Sequence, residues 1–309
     1  LEQAKKLIDI AAESGADAIK FQTWIAERLF NEVRNKEIVD KLNKMALRKE
    51  WHKELFEYAN KKGLIFLSTA FDEESADLLE SLGVTAYKIA SYELSHLPLV
   101  EHIAKKNKPV IISTGMAYED EIRETVKCVY ATGNKQIVLL YCVSQYPAKT
   151  DDVNLNSLLA LKRVFGVPVG FSDHTSTIYA SIAAVAMGAN VIEKHFTIDK
   201  SLPGPDHSYA LNPNELKQMI TGIRDVEKMK RAKEVRPSEH ELTERAWRRA
   251  IYAKCEIPKG TTITKDMLMV VRPSPEGSLP PKEVYNLIGK KTTSEIKKGE
   301  FITYKKVSK

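Results

Sequence analysis

Two histidines stand at the ends of consecutive short apolar runs: His174 in "GFSDHTS" and His195 in "VIEKHFT". If those runs are neighbouring parallel strands, their ends lie about 5 Å apart laterally. Two imidazoles at that spacing can share one divalent ion and leave positions open for substrate oxygens. Asp173 and Glu193 are then the residues expected to orient the rings. The other reading is that His174 caps the following helix and His195 hydrogen-bonds within the core. Spacing alone leaves both open.

Lys20 and Lys88 fall in otherwise apolar runs, "AIKFQ" and "AYKIA", where an unpaired ammonium is costly. Both are expected to face an anion. Hydroxyls of Thr69, Ser91, Ser113 and Ser172 can complete a cradle for phosphate or carboxylate, and pairing of the lysines with Glu93 or Glu193 is compatible with that role. Asp206, in the rigid "LPGPDH" loop, is placed to accept hydrogen bonds from sugar hydroxyls. His52, His102 and His240 are read as surface residues, and the basic runs "KMKRAK" and "RAWRR" as solvated helix faces. Neither a P-loop nor a GxGxxG motif occurs, which argues against a nucleoside triphosphate or a dinucleotide.

These residues need a scaffold that gathers strand ends. Seven strand candidates run through the first two thirds of the chain: 18–22, 65–69, 86–90, 109–114, 136–142, 167–172 and 191–197. Between them lie stretches such as "DEESADLLESLG", whose apolar residues recur at three and four positions. Such alternation implies parallel strands with right-handed crossovers. Polar residues crowd the C-terminal ends of all seven strands, as in a (β/α)8 TIM barrel; a doubly wound sheet would concentrate them at one switch point. The count is one strand short, because the chain opens on a helix-like "LEQAKKLIDIAAESGAD". The expectation is therefore a truncated sequence or an open barrel lacking its first strand.

At 309 residues, two domains are the natural prior. The boundaries read as a barrel domain over 1–235, a polar linker over 236–247 and a small β-rich domain over 248–309. In the last, "EIPKGTTIT" (256–264) returns as "EIKKGEFIT" (295–303), each copy expected as strand, Lys-Gly turn and strand. The net charge of +6 is mild and scattered, which favours anionic small molecules over nucleic acid. No apolar run approaches the roughly 20 residues needed to span a bilayer, and no signal-peptide pattern is present, so no membrane partner is expected. Cys128, Cys142 and Cys255 lack CxxC spacing and read as free thiols of a reducing, cytoplasmic protein, Cys142 as a small core residue.

In order along the chain, "IKFQTW", "FLSTAFD", "YKIASYEL", "KPVIISTGMA", "LLYCVSQYPAKTDDVNL", "GFSDHTS", "EKHFT" and "PGPDH" closely resemble the sialic acid synthase family. Its members make N-acetylneuraminic, legionaminic and pseudaminic acids. The C-terminal segment resembles the antifreeze-like (SAF, β-clip) domain of that family. The resemblance implies a metal-dependent transferase that condenses phosphoenolpyruvate with an open-chain N-acetylated hexosamine such as N-acetylmannosamine. The metal is Mn²⁺ in the first instance, with Mg²⁺ or Co²⁺ as alternatives. It also implies a domain-swapped homodimer in which each antifreeze-like domain covers the partner's barrel mouth.

Matched motif by motif, His174 and His195 correspond to the metal ligands. Lys20, Thr69, Lys88, Ser91, Ser113, Ser144 and Ser172 correspond to the phosphoenolpyruvate cradle. Gln22, Glu93, Tyr146 and Asp206 fall near the sugar, and Arg272 matches an arginine that reaches over from the partner chain. Lys20, Lys88, Glu93 and His195 are the expected catalytic set. Two departures stand out: the family's first-strand glutamate has no counterpart after Leu1, and "RPSPEGSLPP" replaces an Arg-Pro-Gly and Gly-Ile pattern in the reaching loop. The "PGPDHSYALNPNEL" loop leans toward a neuraminate or legionaminate synthase over a pseudaminate synthase. A non-catalytic carbohydrate-binding protein is the rival from another class, and simple sugar binding needs no phosphate cradle. An ice-binding role for the repeat domain is disfavoured, because its turns lack a flat array of threonines.

Overall fold

The structure is a computed structural model that describes residues 1–230 and 234–308. It divides into two compact units, Leu1–Arg231 and Ala232–Lys309. In the first, seven strands appear where the sequence pattern places them: β1 (Ala18–Thr23), β2 (Ile65–Ala70), β3 (Tyr87–Ile89), β4 (Val110–Ser113), β5 (Ile137–Cys142), β6 (Val169–Asp173) and β7 (Val191–Lys194). They lie in sequence order and every neighbouring pair is parallel. Each crossover adds a strand on the same side of the last, so the sheet curls as a barrel does and has no switch point. Among the described residues β1 and β7 share no backbone pairing. Across the interior, however, Lys20 of β1 and Glu193 of β7 approach to 3.6 Å. Among the described residues the unit is a TIM-barrel-like curl of seven parallel strands.

Strand side chains alternate between faces, and the register carries one face around the curl. Gln22 pairs with Thr69, Thr69 with Lys88, Cys142 with Ser172, and Ser172 with Glu193. These polar residues share the inner face. The outer face supplies Ile19, Phe66, Tyr87, Ile89, Ile112, Leu139 and Phe171, which pack with helix residues Ile8, Leu55, Leu79, Leu99 and Ile103 into the main core. Helix boundaries follow local chemistry. Helix Glu73–Leu82 begins at Asp72, whose carboxylate accepts from the Ser75 amide at 2.8 Å, and ends at Gly83 with φ 82°.

His52, expected at the surface, is buried on the outside of this curl. Its Nδ1–H donates to the Arg48 carbonyl at 3.0 Å, leaving Nε2 to accept from the Thr23 hydroxyl at 2.8 Å. Thr23 also meets Ser68 at 2.8 Å. The ring thereby fastens helix Trp51–Lys61 to the outer faces of β1 and β2, and burial lowers its pKa. The other two non-site histidines named above stay nearer solvent, with His102 pairing with Asp77 and His240 exposed.

The second unit holds an antiparallel pair, β8 (Ala250–Ala253) and β9 (Leu268–Val271). The two sequence copies do not each form the expected hairpin; they meet one another. Ile257 and Ile296, equivalent residues of the two copies, form an antiparallel bridge with both amides donating at 2.9 Å. Further bonds repeat around this bridge. Gly260 N donates to Thr292 O and Gly299 N to Ala253 O, each at 2.8 Å, while Ile263 N and Ile302 N donate to Lys290 O and Ile251 O. The turns need φ values of 83° at Gly260 and 81° at Gly299, which glycine adopts without Cβ clash. Ile251, Ile257, Ile263, Ile296 and Ile302 form the core of this quasi-twofold unit. The span expected as linker carries helix Glu239–Glu244, capped by Ser238, and a turn over Arg245–Trp247. Residues 231–233 of the "KMKRAK" run lie outside the described residues, and "RAWRR" is exposed.

Candidate active site

The inner face of the curl gathers both lysines. Lys88, with only 3% of its side chain exposed, donates to Ser113 Oγ and to the Ile89 carbonyl, each at 2.7 Å. Lys20 donates to Thr69 Oγ1 at 3.0 Å. Between them lies Glu193, with Oε2 at 3.6 Å from Lys20 Nζ and Oε1 at 4.0 Å from Lys88 Nζ. Ser172 donates to Glu193 Oε1 at 2.7 Å. Burial lowers the Lys88 pKa to about 8 against the pull of Glu193. Burial would raise Glu193, yet the two ammoniums and the Ser172 bond hold it down at about 2.

Beside Lys88 the chain turns at Gly115, whose amide donates to Ser91 Oγ at 3.0 Å. A Cβ at position 115 would lie 2.2 Å from Ser144 Oγ and 2.8 Å from Ser91 Oγ, so only glycine admits both hydroxyls. Among the described residues, Ser144 Oγ is buried with no hydrogen-bond partner, and so is Glu93 Oε2. Unpaired buried polar atoms are rare and costly. Burial raises the Glu93 pKa to about 7, only partly offset by a backbone hydrogen bond and the charge of Lys88.

His174 and His195 come together with ring centroids 5.4 Å apart. Tyr146 packs against His174 at 4.2 Å, and Tyr209 lies 5.8 Å from His195. His174 Nδ1 faces the Val143 carbonyl at 2.8 Å and must carry the proton, because a carbonyl only accepts. Its Nε2 lone pair is left free. His195 Nδ1 stands 3.7 Å from Asp206, whose carboxylate also accepts from the Tyr209 hydroxyl at 3.0 Å. Burial lowers the pKa of both imidazoles, so both are neutral at pH 7.

The residues expected to orient the histidines do not do so. Asp173 lies on the outer face, where it pairs with Lys194 at 2.9 Å and accepts from Ser181 and the Thr175 amide. Glu193 serves the lysines. The Val143 carbonyl and Asp206 stand in their places. Cys142, expected as plain core, is buried but lines the site, with Sγ 3.7 Å from His174 Nδ1. Gln22 shares the lysine face by register. Arg272 lies exposed on the second unit, as does a groove of about 550 Å³ lined by Arg245, Arg248, Arg249 and Ser274. Gly115 and Tyr209 were not singled out from sequence. The position of Gly115 directly after "VIIST" could have flagged it, whereas nothing local marks Tyr209.

Two neutral imidazoles 5.4 Å apart suit a borderline divalent ion. Among the described residues no group of three or more His, Cys, Asp or Glu side chains converges on such a site. His174 and His195 are the two residues here that could hold such an ion.

A curled parallel sheet with charged and imidazole groups at one end defines a barrel-type, small-molecule site. The sequence pattern of the NeuB family matches residues 7–234, and that of the SAF domain matches residues 248–308. The chain belongs to the NeuB family. It is 42% identical to an N,N'-diacetyllegionaminic acid synthase of Legionella pneumophila over 99% of this chain and 90% of the relative. A Campylobacter jejuni protein of the same name is 40% identical over 98% of this chain and 94% of its own length. Among solved structures, an N-acetylneuraminic acid synthetase from Leptospira borgpetersenii in complex with citrate superposes with a TM-score of 0.74. That match is 35% identical and covers 79% of this chain and 84% of that one.

Proposed function

We propose that this protein condenses phosphoenolpyruvate with an open-chain N-acetylated hexosamine to give a nonulosonic acid and inorganic phosphate. The observation that carries the reading is one barrel mouth holding a lysine pair, Lys88 buried and Lys20 half-buried, set in hydroxyls beside a pair of neutral imidazoles. Lys20 and Lys88 would hold the phosphate and carboxylate charges, with Thr69, Ser91, Ser113, Ser144 and Ser172 as neutral donors. The orphaned Ser144 hydroxyl is a donor in want of such a ligand. A divalent ion, Mn²⁺ in the first instance, held by His174 and His195 would polarise the sugar aldehyde.

Gln22, Tyr146 and Asp206 would align the sugar so that its aldehyde carbon faces C3 of phosphoenolpyruvate, and much of the rate would come from that alignment. Bond formation between those carbons leaves a cation at C2. Water adds there, and the tetrahedral carbon loses phosphate. Glu93, titrating near pH 7, is suited to give a proton to the alkoxide and take one from the entering water. Arg272 would act on a partner's mouth in a domain-swapped dimer. The names of the Legionella and Campylobacter relatives favour a diacetamido-trideoxyhexose over N-acetylmannosamine as the sugar.

The test is phosphate release from phosphoenolpyruvate with Mn²⁺ and each sugar in turn, with and without chelator. Chelator-sensitive release with one sugar is expected. His174→Ala and His195→Ala should each remove metal-dependent turnover and leave the melting transition in place. Full activity in both variants would sink the metal assignment, and silence with every N-acetylated hexosamine would sink the reaction.

A further inference from the structure

Glu193 poses a question that the cradle does not answer by itself. A site meant to receive an anion already contains one, between the two ammoniums that would bind it. The separations of 3.6 and 4.0 Å exceed the roughly 3.2 Å limit of a direct N–H···O bond. The carboxylate therefore compensates charge without occupying the lysines' donor positions. Its own anchor is elsewhere, in the 2.7 Å bond from Ser172. Each ammonium carries three N–H groups. Lys88 uses two on Ser113 and Ile89, and Lys20 uses one on Thr69. An incoming phosphate can take the remaining ones without breaking any bond that holds Glu193.

We propose that Glu193 is a resident counter-anion: a positioning residue that keeps the lysine pair together before substrate arrives and weakens the cradle's grip on phosphate. This rests on the reading of Lys20 and Lys88 as the phosphoenolpyruvate cradle. Two ammoniums with no anion would repel each other and bear the full cost of burial. With a fixed carboxylate beside them the pair carries one net positive charge, enough to attract an anion and too little to trap it. The device bears on release, because the reaction leaves inorganic phosphate in the same cradle. A more positive cradle would bind phosphoenolpyruvate more tightly and also hold its product longer, a gain in ground-state binding that does not raise turnover.

The experiment titrates inorganic phosphate and phosphoenolpyruvate calorimetrically into the full chain at fixed ionic strength. Wild type, Glu193→Gln and Glu193→Asp are compared, and kcat, KM and phosphate inhibition are read for each. Glu193→Gln keeps the size and the contact to Ser172. It is expected to bind phosphate about tenfold more tightly, with KM for phosphoenolpyruvate and the inhibition constant for phosphate falling and kcat falling with them. Glu193→Asp keeps the charge and should stay within about threefold of wild type. Equal or weaker phosphate binding by a folded Glu193→Gln overturns the proposal. So does unchanged phosphate binding accompanied by lost Mn²⁺ affinity, which would return Glu193 to the histidines. If Glu193→Gln fails to fold, the Asp variant decides: a charge-retaining change that moves phosphate affinity more than tenfold refutes the counter-anion role. Wild type that binds neither phosphate nor phosphoenolpyruvate refutes the cradle itself, an outcome distinct from a cradle that binds without responding to Glu193.

Discussion

Along β1 to β4 the mouth buries the Lys88 ammonium, half-buries that of Lys20, and keeps both in reach of one carboxylate and a row of hydroxyls. Along β5 to β7 it holds two imidazoles, His174 buried and His195 half-buried, and keeps them neutral, with one ring proton turned to the Val143 carbonyl and aromatic rings packed alongside. The first side holds its charge by importing a counter-charge from β7. The second avoids charge, and neutral nitrogen lone pairs are what a metal needs. Burial acts on both, and what differs is where each group starts. An ammonium starts far above neutral pH and stays charged beside Glu193. An imidazole starts near pH 6.5, and burial keeps it neutral even with Asp206 3.7 Å from His195.

The largest effect should come from breaking the charged side. Lys88→Met removes the ammonium that Ser113 and Ile89 orient. It should lower kcat/KM for phosphoenolpyruvate at least about a hundredfold, the scale on which losing one preorganised electrostatic contact acts. Steady-state kinetics alongside near-ultraviolet circular dichroism checks this, and near-wild-type turnover would mean that Lys88 only supports the fold. Gly115→Ala strikes the hydroxyl floor, where the new methyl would sit 2.2 Å from Ser144 Oγ. Overpacking of this kind costs about 1–3 kcal/mol, read as a lower urea midpoint, with activity falling roughly tenfold as Ser91 and Ser144 are pushed apart. If the cradle did not use those hydroxyls, stability would fall and activity per folded molecule would not.

The smallest effect sharpens the comparison from a group that belongs to neither strategy. Glu93 is a buried carboxyl with an unpartnered oxygen and a pKa raised from 4.5 to about 7. The folded state holds its proton more tightly than the unfolded state, so this contribution to stability is complete below pH 4.5. It is lost as pH rises through 7. Glu93→Gln should remove that dependence and, at pH 8, stabilise the protein by on the order of 2 kcal/mol. Melting curves at pH 5 and pH 8 test it, and parallel pH dependence in the two proteins would refute it.

Much of the scaffold is legible in the sequence. Seven apolar runs separated by helix-period stretches gave seven parallel strands, because both patterns are local. Lysines in apolar strands and hydroxyls at strand ends marked the mouth for the same reason. Asp173 does not stand behind His174, and a local rule is the reason. Adjacent strand residues face opposite ways, so Asp173 points at Lys194 and the outer helices. The burial of His52 was a different matter, since it depends on a helix docking against Thr23 and Ser68. The repeat in the second unit was plain, but sequence similarity does not say whether copies fold separately or pair. Ile257 and Ile296 pair.

The chain's own order of residues determined the strands, their inner and outer faces, the capped helices and the glycine turns at 260 and 299. These depend on backbone preferences and on side-chain period over a few neighbours. Only the tertiary structure decided that Glu193 answers Lys20 from the far end of the sheet, that Tyr209 holds Asp206 near His195, and that Gly115 makes room for two hydroxyls. Apart from the short-range Tyr209–Asp206 bond, those choices join residues from 11 to 173 positions apart. They are settled by how tightly the sheet curls and which charge is nearest once water is excluded, and no local pattern carries that information.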